Sequence, residues 1–100
     1  MKEIKGLLEK NTRVWVYLRD EETTDLFLDR AEKEGFRFAD GEVPRARRTD
    51  MYAVYPGRLN TLNFIGHLAL QCNAKCVGTE VLKIVDYRKY IENDEDYLLN

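Results

Sequence analysis

The chain has 100 residues, 44% of them hydrophobic and 34% charged, with 16 basic groups against 18 acidic ones. That length makes one domain, the apolar share excludes intrinsic disorder, and the charged share excludes a membrane protein. A net charge of −2 leaves no global field to draw the molecule to nucleic acid or anionic lipid.

Over residues 3–10, Ile4, Leu7 and Leu8 fall at i, i+3, i+4 and suggest a short amphipathic helix. Charges every two or three residues deny this start the apolar stretch of a signal peptide. No window approaches the roughly 18 apolar residues of a bilayer span, so a cytoplasmic location is expected. Residues 13–18, Arg-Val-Trp-Val-Tyr-Leu, are apolar on both faces, as in a central strand with Trp15 in the core. Asp20 then stands where a helix N-cap belongs, and Glu21, Glu22 and Asp25 complement the positive end of the dipole. Phe27 and Ala31, with Leu26 and Leu28, form the buried stripe of a helix over 21–34, and Gly35 terminates it. Phe36 and Phe38 alternate with Arg37, a short strand signal. Residues 13–38 thus read as β–α–β, a right-handed crossover if the two strands pair in parallel.

Residues 39–50 read as an exposed loop of about a dozen residues, long enough to suggest a purpose. Met51–Tyr55 and Thr61–Ile65 are apolar runs around Pro56-Gly57, a hairpin with a loop of about four or five residues. Residues 66–73 fit either a short helix or a continuation of the strand. Val81–Tyr87 is the last strand, Tyr87–Ile91 a closing turn or short helix, and an acidic run over 92–96 precedes Tyr97–Leu99. The expected fold is α+β, one domain over residues 1–100. A single small sheet of four to five strands would carry one main helix packed on a face.

The charges cluster. Residues 43–79 hold Arg45, Arg47, Arg48, Arg58 and Lys75 against Asp50 alone, a net of +4 between two acidic flanks. Arg45, Arg47 and Arg48 lie on the loop and Arg58 on the hairpin turn, with Tyr52, Tyr55, Asn60 and Asn63 nearby. Guanidinium forks bind carboxylate or phosphate bidentately, and tyrosine adds a stacking surface. This mixture suits an acidic protein surface, a nucleic-acid backbone or a nucleotide. The alternative is that the loop arginines pair with the acidic helix 21–34 of the same molecule.

Other chemistry is thin. Cys72 and Cys76, spaced C-x₃-C after His67, are too few for a closed tetrahedral metal site and read as buried structural thiols. No metal and no cofactor are expected. The chain has no serine, which excludes a Ser-His-Asp arrangement, and a Cys-His pair would need Cys72 or Cys76 to fold back onto His67. His67 is therefore expected to cap or hydrogen-bond. Glu21/Glu22 and Asp94/Glu95/Asp96 sit in water-facing contexts that do not separate their pKa values. The glycines form neither a dinucleotide fingerprint nor a Walker loop. Tyr87, Tyr90 and Tyr97 are expected to pack the C-terminal segment.

Phe27…Gly35-Phe36, Asp40-Gly41, Phe64-Ile-Gly-His-Leu-Ala69 and Ile84-x-Asp86-Tyr87-x-x-Tyr90-Ile91 give the chain a resemblance to other sequences. It resembles small uncharacterised proteins of phages and conjugative elements of low-GC Gram-positive bacteria. The resemblance implies a setting and no site; small proteins in that setting often act by binding other proteins. The expected function is a non-enzymatic cytoplasmic interaction protein, docking through loop 43–50 and turn 56–60 onto a protein with an acidic surface. The binding residues would be Arg45, Arg47, Arg48, Arg58, Tyr55 and Asn60. A nucleic-acid-binding protein using the same Arg/Tyr patch is the alternative, and a small enzyme or ligand-binding domain using His67 the third. A homodimer would add burial to so small a domain; the sequence neither demands nor excludes it.

Overall fold

The valine- and aromatic-rich strand β1 (Thr12–Tyr17) sits in the middle of a five-stranded mixed sheet in the computed structural model, which describes residues 2–100. On one side β2 (Met51–Tyr55) pairs with it antiparallel, and β3 (Arg58–Thr61) follows. On the other side β5 (Glu80–Asp86) runs parallel, with the two-residue β4 (Cys76–Val77) at the edge. Alternation sorts the side chains between two faces. Val14, Val16, Tyr52, Val54, Leu59 and Val85 share the first; Trp15, Met51, Ala53, Leu82 and Ile84 share the second. The fold is α+β, as composition and pattern indicated.

Helix α1 (Glu21–Lys33) covers the first face with Phe27, Leu28 and Ala31. Its start is fixed by the Asp20 carboxylate, which accepts the Thr23 amide at 2.8 Å, and its end by Gly35 at φ 82°. Just beyond it, the Glu34 side chain is only 2% exposed. It accepts the amides of Ile4 at 2.7 Å and Lys5 at 3.0 Å, and Arg30 Nε at 2.7 Å. Burial pushes this carboxyl up, but the Lys5 amide, the Arg30 guanidinium and the Ile4 amide together hold it below its usual value.

Helix α2 (Phe64–Gln71) lies on the second face, pressed against β2 at Gly66. A Cβ there would come within 2.8 Å of Met51 Sδ and 3.1 Å of Leu62 Cβ. Helix α3 (Tyr87–Ile91) starts on Asp86, whose carboxylate accepts the Lys89 amide at 3.3 Å. Tyr87 enters the first core edge-on to Phe27, ring centroids 5.1 Å apart. Its buried hydroxyl meets no hydrogen-bond partner among the described residues, and burial pushes its pKa up.

Several local expectations are corrected. Residues 36–38 form no strand beside β1, so residues 13–38 make no β–α–β unit and the parallel neighbour of β1 is β5; Arg37 alone makes a parallel bridge, to Arg58 at the far edge. The hairpin turn is only Pro56-Gly57, because Gly57 at φ 70° closes it in two residues. The sheet stops at Thr61, and the apolar run that follows is the start of α2. At the N-terminus a single 3-10 turn, Ile4–Leu7, replaces the expected helix, held by Glu34 from outside.

Candidate binding surface

The segment between α1 and β2 lies against α1. Pro44–Ala46 makes one 3-10 turn, and the buried Tyr52 hydroxyl ties the segment down by donating to the Arg47 carbonyl and accepting the Thr49 amide. Three arginines thereby meet carboxylates. Arg45 reaches Glu32 and Asp29, each at 2.7 Å, and the first of these hydrogen bonds, then the second, raises its pKa. Arg48 reaches Asp25 at 2.7 Å and the Glu21 carbonyl at 3.1 Å. Arg47 pairs with Asp40, and with Glu42 at 3.5 Å. Every one of these guanidiniums has a partner in its own chain.

Arg58, Tyr55 and Asn60 sit elsewhere. Residues paired across neighbouring strands point to the same face. Tyr55 pairs with Arg58 and Ala53 with Asn60, which puts all four on the second face, the one α2 partly covers. Arg58 lies over the Tyr55 ring at 4.6 Å from its centroid, and Arg13 of β1 approaches the same ring at 6.0 Å. A residue outside the sequence-based set extends this row. The Arg37 amide donates to the Gly57 carbonyl at 3.2 Å, and its carbonyl accepts the Leu59 amide at 3.0 Å. Across the sheet the row therefore runs Arg37, Arg58, Tyr55, Arg13.

The row is not neutralised evenly. Arg13 Nε holds Glu80 at 2.8 Å, a bond that pushes its pKa up. Arg37 donates to the Gly41 carbonyl at 3.3 Å and Arg58 stacks on Tyr55; among the described residues neither meets a carboxylate. At this end of the sheet a groove of about 440 Å³ opens between Leu8, Lys10, Arg13, Tyr55, Pro56 and Glu80.

His67 stands on α2, facing the end of β1. Its Nε2 lies 3.0 Å from the Asp50 carboxylate, and its ring meets the Tyr17 ring edge-on. Cys72 caps α2 and Cys76 begins β4, so the helix ends before the two can share a face. Both thiols are exposed, which corrects their expected burial. A hollow of about 300 Å³ lies beside Asp50, at the C-terminal end of β1. Most of its charged groups already have partners: Arg19 sits on the Asp86 carboxylate at 3.2 Å and 3.3 Å, Asp20 caps α1, Arg48 holds Asp25, and Asp50 faces His67. Among the described residues no group of three or more His, Cys, Asp or Glu could hold a metal. No helix there is long and apolar enough to cross a membrane. Compared with known proteins, the chain matches no family model, no curated protein and no solved structure.

Proposed function

We propose that this is a non-enzymatic interaction protein that docks an acidic protein segment on the row Arg37, Arg58 and Tyr55, with Asn60 beside it. One observation carries the proposal. Arg45, Arg47 and Arg48 already hold carboxylates, whereas Arg37 and Arg58 meet none among the described residues. Moving a guanidinium from its own exposed carboxylate to another gains little, because one weak surface pair replaces another. A guanidinium without such a partner gains a new charge-assisted bond.

Spacing favours a protein over a nucleic acid. Side chains on neighbouring strands sit about 5 Å apart, which matches two carboxylates one turn apart on a partner helix. Two guanidiniums would neutralise about two phosphates, giving a salt slope near −2 and only weak non-specific nucleic-acid binding. A cytoplasmic setting in a phage or mobile element accords with the resemblance noted in the sequence.

The test is a helical peptide bearing glutamates four residues apart, titrated at low salt into isotope-labelled protein. Amide shifts at Arg37, Tyr55, Arg58 and Asn60 are expected, and their loss in the Arg37→Glu/Arg58→Glu variant. The Arg45→Ala/Arg47→Ala/Arg48→Ala variant should bind like the parent. Shifts confined to residues 43–50, or none at all, overturn the proposal. Tighter binding to a single-stranded oligonucleotide, falling steeply with salt, replaces it with the rival.

A further inference from the structure

We propose that α2 is the contact surface for a second copy of this chain, the two copies pairing through Phe64, Ile65 and Leu68 about a two-fold axis. These side chains are 75%, 66% and 45% exposed. At i, i+1 and i+4 they form one patch on the helix. Gly66, on the opposite side, is pressed against Met51, so α2 cannot roll inward to bury them. A helix apolar all round is ordinarily interior. This one is covered on one side only.

Charge identifies the occupant. The chain is 34% charged, yet residues 59–74 contain no Asp, Glu, Lys or Arg. A two-fold axis brings a patch against its own copy, where charge repels itself and an uncharged apolar surface does not. An acidic partner would find nothing to recognise here, so the contact is independent of the cationic row. Contacts between different proteins are, taken whole, about as polar as the surrounding surface, whereas homodimer contacts are more apolar.

The area also fits. An aromatic side chain buries roughly 150–250 Å² when fully covered and Ile or Leu somewhat less, so the three exposed fractions offer roughly 300–350 Å² per copy. That is somewhat under half of the roughly 800 Å² that each partner buries in a standard interface. The exposed and uncharged Asn63, Gln71 and Cys72 supply a rim around it. Such a contact gives a reversible dimer, not an obligate one.

Sedimentation equilibrium of the full chain in reducing buffer, from about 10 to about 500 µM, tests this. The mass should rise with concentration from 11.8 kDa toward twice that value. Phe64→Asp and Leu68→Asp should hold it at the monomer without lowering the melting temperature measured at the dilute end of that range, since both positions are exposed. Arg58→Glu should still dimerise. A second measurement needs no change in the patch: a spin label on Cys72, in a Cys76→Ala background, should broaden the Phe64 and Ile65 amides of unlabelled isotope-enriched copies. A monomer throughout the range, a dimer indifferent to Leu68→Asp, or no intermolecular broadening overturns the proposal.

Discussion

The two faces of the sheet are closed by helices of different kinds, and their surfaces differ as a result. On the first face lies α1, 13 residues long, with an apolar stripe inward and Asp25, Asp29 and Glu32 on its polar side. Those carboxylates draw the loop arginines down and pair with them. On the second face lies α2, 8 residues long and without a formal charge apart from what His67 can carry. It leaves three apolar side chains in water, and the stretch from 59 to 74 offers Arg58 no carboxylate. One surface is satisfied by its own chain and the other is left with valences to offer. The difference follows from where the acidic residues fall along the sequence.

The largest expected effect is on the α1 side, where closure rests on paired polar groups. Glu34→Ala strands two backbone amides and the Arg30 guanidinium, and should lower stability by roughly 3 kcal/mol in denaturant melts. The same carboxyl sets an acid dependence. Its folded pKa lies below the usual 4.5, so its contribution is complete above that value and is lost as pH falls through the lower folded value. Glu34→Gln should flatten that part of the acid limb, and an unchanged limb would remove Glu34 from the account of this face.

A smaller effect is expected across the sheet. Gly66→Val should cost about 2 kcal/mol, because the new side chain meets Met51 and Leu62 and lifts α2 from β2. Parental stability would mean that the helix has room to shift, and that its exposed side chains are not fixed outward. The smallest effect returns to the α1 side. Removing the unpartnered hydroxyl in Tyr87→Phe should leave stability unchanged or raise it by up to about 1 kcal/mol. A clear loss in a thermal melt would reveal a partner for that group.

What could be read from the sequence was what neighbours along the chain decide. Asp20 as N-cap, the Phe27 and Ala31 stripe, Gly35 as terminator and the doubly buried β1 all depend on residues a few positions apart. The possibility that the loop arginines pair with the acidic helix was also legible, since both charge runs were visible. Arg37 was not. Its pattern said strand, but whether it joined β1 or β3 depends on where the chain goes after α1, and no local signal carries that. Glu34 looked like one more acid on an acidic helix until the fold brought Ile4 and Lys5 to it. The exposure of Phe64, Ile65 and Leu68 ran against composition, because an apolar segment argues for burial whether or not the domain is large enough to supply it.

The edges of the sheet bear on how copies of this molecule can associate. At one edge Arg37 bridges the start of β3, and at the other the outer side of β5 is shared between β4 and residues 97–99. A long open strand edge is a template that each added chain renews, so growth along it has no natural end. A patch on a helix, used by two copies about a two-fold axis, is consumed when the second arrives. Association of this chain should therefore stop at a fixed number of subunits and not run on into fibres.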